Sequence, residues 1–452
     1  MRTLIRDATA IVDLDRERGW FPGGYLLIEG GLIERVEEGA PPQERFDRVI
    51  DARDCVVLPG LVNTHHHFIQ TLNRCYPPAL NFGLRQWLKA LYPVWAKFEP
   101  EHVRLGTTVA LAELLLSGCT TTCDHHCFVP RGGSGHFEIQ VEAARELGMR
   151  FHVSRGSTTI GESKGGLALD ANCEEEDDVL ADCEALLARH HDPARGAMTR
   201  VALSPVSLFG VSRDMMRQSA EMARRHNVRL HTHLAETLDE QMFCVETFGM
   251  RPVDLLEDCD WMSSDVWLAH GIHFNDGEVK RLGEAGVGVA HCPSSNMRLG
   301  SGVARIGDLR AAGSPIGVGV DGSASNDSSH MLAEVRQALL LQRVIYGADE
   351  MTVQEALRLA TTEGARCLGR DDVGALKPGM CADVAIFSLE DIGYSGAGDP
   401  LAAMLLCAPS RVRTLLVNGR VVVEDGQLVT CDLSKVLPEH RKRAKELQGV
   451  AF

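Results

Sequence analysis

Residues 56–70, VVLPGLVNTHHHFIQ, join an apolar run to three consecutive histidines. The apolar, β-branched run predicts a buried strand that delivers the histidines at its carboxyl end. Because side chains alternate along a strand, His65 and His67 are expected to point to the same side. Two imidazoles so arranged suit a zinc-class ion. Taken alone, the segment fits a polar strand end in solvent equally well.

The same pattern recurs along the chain and predicts a barrel. Between about residues 55 and 369, short β-branched runs that end in a polar side chain alternate with Leu- and Ala-rich helical stretches, which is typical of a parallel sheet. Eight predicted strands end near Thr64, Asp124, Arg155, Ser204, His233, His270, His291 and Asp321. We therefore predict an α/β fold with a (β/α)8 TIM-like barrel.

Helix signals fit between these strands, and both chain ends differ from the middle. Ser212 is a predicted N-cap for residues 212–227, and Thr352 with Glu355 forms a predicted capping box for a helical stretch over 351–369. Residues 25–38, 382–389 and 412–428 alternate in hydropathy around glycine turns, and we expect them to form a small β-sandwich built from both ends. The expected domains are 1–56 (first part of the sandwich), 57–370 (catalytic barrel) and 371–452 (second part of the sandwich plus a C-terminal helix).

Composition narrows the class of protein. The hydrophobic fraction of 44% and the charged fraction of 24% are typical of a globular protein. A net charge of -16 disfavours nucleic acid and anionic membranes as partners. The 14 cysteines follow no disulfide framework, and neither a signal peptide nor a membrane span is recognisable. A cytoplasmic location is expected.

Three further predicted strands end in histidine or aspartate. In residues 227–237, NVRLHTHLAET, a predicted strand ends at His233, and Glu236 follows three residues later. Predicted strands also end at His270 within residues 265–274 and at Asp321 within residues 314–327. In a barrel, these ends meet at one mouth. The predicted metal ligands are His65, His67, His233 and Asp321. This set leaves a position for water, as catalytic sites do. Glu236, His270 and Asp321 are the predicted catalytic residues.

Five motifs, in this order, resemble the amidohydrolase superfamily in its cytosine, guanine and triazine aminohydrolase branch. They are PGLVNTHHH (59–67), HTHLAE (231–236), LAHGIH (268–273), AHCPSSN (290–296) and GVDGSASN (319–326). LKPGMCADVAIF (376–387) and VNGRVVVEDG (417–426) resemble the sandwich of that family. The resemblance implies the same four ligands, with Glu236 and His270 as proton carriers.

The fourth predicted strand sets the expected number of metal ions. Binuclear members of the superfamily carry a carboxylated lysine there, whereas residues 199–210, TRVALSPVSLFG, contain none. One divalent ion is therefore expected, with zinc as the first choice and iron as the alternative. His66 and His231 alternate away from the metal-facing positions, and the roles of His125, His126 and His291 stay open.

The resemblance also suggests a substrate. Gln70 completes the motif H-x-H-x-x-Q, and in guanine deaminase-like proteins the amide of this glutamine binds the purine edge. Trp87 lies where related enzymes place an aromatic residue near the substrate ring, although a position in the hydrophobic core explains it equally well. Guanine deaminases place Arg after the strand-four proline, where this chain has Val206 and Ser207.

The loop sequences are most similar to those of family members that act on 8-oxoguanine. The expected reaction is hydrolytic deamination of a purine-like heterocycle, 8-oxoguanine to urate and ammonia. Guanine, isoxanthopterin and hydroxytriazines are the alternative substrates. The alternative from a different functional class is a non-catalytic scaffold protein with the same fold. Such proteins typically lack some of the metal ligands, all of which are present here. The family also implies a small-molecule partner and a homo-oligomer.

Overall fold

The structure is a computed structural model that describes residues 1–130, 135–407 and 409–449. Within these ranges, the nineteen strands are β1 (Arg2–Arg6), β2 (Ala10–Val12), β3 (Trp20–Pro22), β4 (Tyr25–Glu29), β5 (Leu32–Glu37), β6 (Arg48–Asp51), β7 (Cys55–Pro59), β8 (Leu61–Asn63), β9 (Cys119–His126), β10 (Arg150–Ser157), β11 (Thr199–Pro205), β12 (Arg229–Leu234), β13 (Val266–His270), β14 (Gly288–His291), β15 (Ile316–Val318), β16 (Val384–Ser388), β17 (Thr414–Val417), β18 (Arg420–Glu424) and β19 (Gln427–Leu428).

The α-helices of the same ranges are α1 (Leu84–Trp95), α2 (Pro100–Leu116), α3 (His136–Leu147), α4 (Glu176–His190), α5 (Arg213–His226), α6 (Leu238–Phe248), α7 (Pro252–Asp258), α8 (Asp276–Ala285), α9 (Pro293–Arg298), α10 (Ile306–Ala312), α11 (Met331–Tyr346), α12 (Val353–Leu359), α13 (Thr362–Cys367), α14 (Pro400–Leu406) and α15 (Leu433–Gln448). None of these helices is long and apolar enough to cross a membrane.

Eight parallel strands, β8 to β15 in chain order, form the barrel. Thr64 N donates to Val318 O at 3.0 Å and joins the last strand to the first. Each strand ends within three residues of the end predicted from the sequence, so the (β/α)8 prediction is confirmed. All eight carboxyl ends lie at one mouth of the barrel.

Strands from both ends of the chain build the small domain. One sheet has the order β5-β4-β1-β6, and the other has the order β19-β18-β17-β16-β7-β2-β3. β7 and β16 pair antiparallel, with Cys55 opposite Ser388. Apolar side chains from both sheets share one core, among them Ile5, Val57 and Ile386. The predicted sandwich from both chain ends is therefore confirmed, while the predicted boundary at residue 57 falls inside β7 and stays a prediction.

The helix caps form as predicted, but the stretch 351–369 differs. Ser212 Oγ accepts from Met215 N at 2.9 Å, and Thr352 and Glu355 form the capping box. Instead of one helix, α12 and α13 are separated near Thr361. The Ala360 carbonyl accepts from Val62 N at 2.8 Å, and the Thr361 hydroxyl donates to the Leu357 carbonyl at 2.7 Å. These bonds to a barrel strand and a side chain replace the helical bonding at the break.

The C-terminal helix α15 supports the segment that follows the first histidines. It packs on α2 and on the short 3-10 helix Phe68–Asn73. His440 Nε2 lies 3.1 Å from the Thr71 hydroxyl oxygen, and Gln448 Nε2 donates to the Leu72 carbonyl at 2.7 Å. The position of Gln70 therefore depends on residues almost 380 positions later in the chain.

A buried ion pair joins the barrel to the sandwich. Arg150, in β10, donates from Nε and Nη2 to both carboxylate oxygens of Asp383 at 3.1 and 3.0 Å. Both residues are almost fully buried. Asp383 also accepts from Asn418 N at 2.7 Å, so its carboxylate connects the barrel to two segments of the sandwich.

Replacing Asp383 by Asn should destabilise the whole chain. The amide would leave the buried Arg150 charge without a counterion, and breaking such a pair typically costs about 3–5 kcal/mol. Urea unfolding would measure this loss in the free energy of unfolding. Asp371→Asn is the matched control, because the Asp371 side chain is 89% exposed and its pair with Arg195 lies in solvent. Equal stability of the two variants would contradict the role of the buried pair.

Candidate active site

The structure brings the four predicted ligands together at the mouth of the barrel. His65 and His67 follow β8, His233 lies in β12, and Asp321 follows β15. Asp321 Oδ1 lies 3.3 Å from His65 Nε2 and 3.4 Å from His67 Nε2. His67 Nε2 lies 3.2 Å from His233 Nε2. One carboxylate oxygen and three ring nitrogens therefore converge on one point.

The backbone adopts left-handed conformations at this mouth. Ala235, His270 and Asp321 have φ of 52°, 71° and 59°. Such conformations are unfavourable for residues with a Cβ and persist where neighbours hold them. The Ala235 carbonyl accepts from the backbone nitrogens of Ile272 and His273, both at 3.0 Å, and Asp321 Oδ1 accepts from Gly322 N at 2.7 Å. The turn that presents Glu236 is thus fixed by bonds to the neighbouring loop, and the turn at Asp321 by a bond to the next residue.

Hydrogen bonds fix the tautomers of His67 and His233. His67 Nδ1 lies 2.6 Å from the His125 carbonyl oxygen, and His233 Nδ1 lies 2.7 Å from the Val206 carbonyl oxygen. A carbonyl only accepts, so Nδ1 carries the proton in each ring. Burial lowers the pKa of both imidazoles, which keeps them neutral. Each Nε2 therefore presents a lone pair to the point of convergence.

His65 reaches the same state through His231. The prediction that His231 alternates away from the metal-facing positions is wrong, because His231 lies two residues before His233 on the same face of β12. His231 Nδ1 donates to the Trp267 carbonyl at 2.8 Å, which leaves His231 Nε2 as an acceptor. His65 Nδ1 donates to that nitrogen at 2.8 Å. His65 Nε2 is consequently unprotonated, and it is buried without a hydrogen-bond partner in the part of the chain that the structure describes. The His231 ring is held in turn by stacking on Trp267 at 4.3 Å.

This donor set fits a divalent cation. Three lone pairs and a carboxylate oxygen that face one another at 3.2–3.4 Å repel unless a positive charge lies between them. Neutral imidazole and carboxylate are the ligands that zinc and related ions take in open catalytic sites. His65, His67, His233 and Asp321 could therefore hold one ion, with hydrogen bonds to ring nitrogens behind the ligands in place.

His125 places a further ring nitrogen near the four convergent donors. The sequence left the role of this histidine open. Its Nε2 donates to the Ser204 carbonyl at 2.9 Å, so its buried Nδ1 carries a lone pair, for which the described residues offer no partner. One group of possible ligands consists of His65, His125 and His233, and an overlapping one of His65, His270 and Asp321. The alternation that selects His65 and His67 also applies to Cys123 and His125 in β9, and it could have identified His125.

His126 and His291, whose roles the sequence also left open, do not join the four predicted metal ligands. His126 Nε2 lies 3.0 Å from His136 Nδ1, in a contact with α3. His291 is buried at the end of β14, and neither ring nitrogen has a hydrogen-bond partner among the described residues.

Glu236 and His270 form a pair beside the point of convergence. His270 Nε2 lies 3.6 Å from Glu236 Oε2 and 4.0 Å from Asp321 Oδ2. His270 Nδ1 lies 2.9 Å from Asn296 Oδ1, an acceptor that leaves Nε2 free for proton exchange. Burial raises the pKa of Glu236 to about 7. At His270 burial lowers the pKa, but the Glu236 and Asp321 carboxylates outweigh burial and raise the pKa of the imidazole. Both groups can exchange protons near neutral pH.

A pocket with about 740 Å³ of space, part of it open to solvent, leads from these residues to the surface. Gln70 and Trp87 both line it. Gln70 Oε1 accepts from Ala324 N at 3.3 Å, and Trp87 Nε1 donates to the Ala324 carbonyl at 3.1 Å. The loop after β15 thus holds both side chains beside Asp321.

Ser207 and Glu240 also line this pocket, and sequence reasoning missed them as site residues. Both are almost fully buried, and neither Ser207 Oγ nor Glu240 Oε1 has a hydrogen-bond partner among the described residues. Glu240 Oε2 accepts from Glu236 N at 3.1 Å, and burial raises the pKa of Glu240 to about 8. The spacing of Glu240 four residues after Glu236 was the available signal. Two polar atoms are thus left for a ligand.

The amidohydrolase family matches residues 56–422 of this chain. The chain belongs to that family. It is 51% identical over 447 residues to the 8-oxoguanine deaminase of Pseudomonas aeruginosa, covering 99% of both proteins. It is 36% identical to the isoxanthopterin deaminase of an unknown prokaryotic organism, covering 98% of this chain and 97% of that protein.

Among solved structures, an atrazine chlorohydrolase from Arthrobacter aurescens TC1, complexed with zinc, is similar to this chain. The TM-score is 0.93 at 33% identity, and the match covers 98% of this chain and 100% of that one. The resemblance found in the sequence is confirmed, and the chain is a hydrolase of the amidohydrolase family that acts on C–N bonds.

Replacing His231 by Phe should weaken metal binding. The ring would keep its place against Trp267, but His65 Nδ1 would lose its acceptor and with it the bond that fixes the tautomer. Loss of such a partner typically lowers metal affinity about 10- to 100-fold. Competition with a chromophoric chelator measures the affinity. His226→Gln, on the exposed side of α5, is the control, and an unchanged affinity in His231→Phe would refute this assignment.

Proposed function

We propose that this protein catalyses the hydrolytic deamination of a purine-like heterocycle, with 8-oxoguanine converted to urate and ammonia. The observation that carries the proposal is the Glu236–His270 pair beside the convergent His/Asp donors, at the inner end of a pocket. The relative named 8-oxoguanine deaminase, 51% identical over 99% of the chain, supports the choice of substrate.

We infer that His65, His67, His233 and Asp321 hold one divalent ion. Zinc is the first choice because a solved relative is complexed with zinc, and iron is the alternative. When bound, such an ion lowers the pKa of water and supplies a nucleophile near neutral pH.

The side chains of this chain then divide the proton transfers. His270 Nε2, with Asp321 beside it, takes a proton from the attacking water. Glu236, protonated at its raised pKa of about 7, donates to the ring nitrogen next to the amine-bearing carbon. The water oxygen forms the new C–O bond. As the C–N bond breaks, His270 protonates the departing amine, which leaves as ammonia, and the remaining proton of the water passes to the Glu236 carboxylate. Asn296 keeps His270 Nε2 directed at the reaction.

Substrate recognition falls to the pocket walls. Trp87 offers an apolar surface to a planar ring, and the Gln70 amide can both donate and accept. The unpartnered atoms of Ser207 and Glu240 suit a ring edge that carries both N–H and C=O groups, which the imidazolone side of 8-oxoguanine does. Val206 and Ser207 replace the arginine expected for guanine, so guanine is the poorer substrate of the two.

An ammonia-release assay tests the substrate. Metal-replete protein should release ammonia fastest from 8-oxoguanine, when compared with guanine, isoxanthopterin, cytosine and hydroxytriazines at equal concentrations. Isoxanthopterin is the second candidate, because a relative of nearly full length carries that activity in its name. Absence of turnover with every purine would overturn the proposal.

Replacing Glu236 by Gln should abolish most activity while the metal stays bound. The amide cannot deliver a proton, and a general acid contributes typically about 10²- to 10⁴-fold to the rate. Steady-state kcat together with metal content by atomic absorption measures both effects. Glu246→Gln, exposed on α6, is the control. A fully active Glu236→Gln enzyme would contradict the proton-transfer role.

A further inference from the structure

A second cavity lies at the opposite, amino-terminal end of the barrel. His152, Arg200 and Arg229 line it from the neighbouring strands β10, β11 and β12. His152 lies opposite Arg200 in the strand register, and Arg229 lies opposite Ala202, two residues after Arg200. The cavity offers about 660 Å³ of space, part of it open to solvent.

This cavity is separate from the candidate active site. Arg229, His231 and His233 alternate along one face of β12, with His233 at the mouth and Arg229 at the other end. Four residues of strand span about 13 Å. A ligand at Arg229 therefore does not occupy the place of the substrate.

Neither arginine of the cavity has a counterion. Arg200 donates to the carbonyls of Gly369 and Ala194 at 3.1 and 3.4 Å, and Arg229 donates to the Cys367 carbonyl at 2.9 Å. These acceptors are uncharged. Within residues 1–130, 135–407 and 409–449, no carboxylate oxygen lies within 4.0 Å of either guanidinium.

The neighbouring arginines are paired with aspartates, unlike Arg200 and Arg229. Arg150 pairs with Asp383, and Arg370 pairs with Asp372 at 2.7 Å. The acidic residue that lines the cavity, Asp265, has its Oδ2 3.6 Å from Arg224 Nε outside the barrel strands, and its buried Oδ1 has no hydrogen-bond partner among the described residues. The surplus positive charge at this end of the barrel thus belongs to Arg200 and Arg229.

Three buried nitrogens of the cavity also lack hydrogen-bond partners among the described residues. Arg200 Nε and Arg229 Nε are donors, and His152 Nε2 is a donor in the tautomer that carries its proton there. Buried polar atoms are normally hydrogen-bonded, so three buried nitrogens without a partner in one cavity are unusual. A Cβ at Gly369 would lie 2.8 Å from Arg229 Nη1, so glycine is required for the backbone to pack against that guanidinium. The site is thus built closely around the unpaired charge.

We propose that this cavity binds a small phosphate-type oxyanion. Guanidinium groups match phosphate oxygens with a planar pair of donors, and a tetrahedral oxyanion can accept from two arginines and an imidazole at once. One such anion would neutralise Arg200 and Arg229 and bond the three free donors. The net charge of -16 opposes unspecific attraction of anions, so binding depends on this local arrangement.

Isothermal titration calorimetry of the metal-loaded protein tests the proposal. Inorganic phosphate and, separately, glycerol 2-phosphate are titrated at constant ionic strength with chloride as the background anion. We expect one site per chain for at least one of the two. The tighter of the two identifies free phosphate or a phosphate monoester as the source. The double variant Arg200→Gln/Arg229→Gln should bind at least about tenfold more weakly, as expected for the loss of charged hydrogen bonds.

Arg225→Gln is the matched control, because Arg225 is exposed and already paired with Glu184 at 3.1 Å. Should the double variant not fold, hydrogen exchange of the wild-type protein gives the answer: phosphate should slow exchange at residues 150–152, 199–201 and 227–229, and chloride should not. Absence of both heat and protection would overturn the proposal. So would equal weakening in Arg225→Gln, or equal protection by chloride.

Discussion

Three unprotonated imidazole nitrogens that face one aspartate are the constraint on which the catalytic end of this molecule depends. Each imidazole is fixed from behind: His67 and His233 donate to backbone carbonyls, and His65 donates to His231. His125 and His231 lie in barrel strands and Val206 directly follows one, so the fold determines the position of these acceptors. Such a group of lone pairs is stable only around a cation, and the fold therefore determines the chemistry before any substrate arrives.

The Glu236–His270 pair depends on the same mouth in a different way. Burial alone would favour neutral Glu236 and neutral His270, and their mutual approach favours the charged forms. At Glu236 burial prevails and raises the pKa to about 7, whereas at His270 the carboxylates prevail and raise the pKa of the imidazole. The left-handed turns at Ala235 and His270 place the pair beside Asp321, so backbone strain occurs where side chains of three strands meet.

The sequence predicted what repeats or alternates. Strand alternation identified His65 and His67, and the order of strand ends predicted the barrel together with His233, His270 and Asp321. It did not predict the break near Thr361, because that break depends on a hydrogen bond from a distant strand to Ala360. Ser207, Glu240, Arg200 and Arg229 were missed for a related reason. Whether a polar atom lacks a partner depends on loops and register across the barrel, which local patterns do not contain.

The joining of both chain ends in one sandwich has a consequence for biosynthesis. β7 emerges from the ribosome early, but its partner β16 begins more than 320 residues later. The segment that carries Gln70 likewise waits for α15, whose His440 and Gln448 hold it. A nascent chain therefore carries an unpaired strand edge through most of its translation, and such edges invite association between chains. The order of synthesis thus leaves the edge of β7 open to association until β16 has been made.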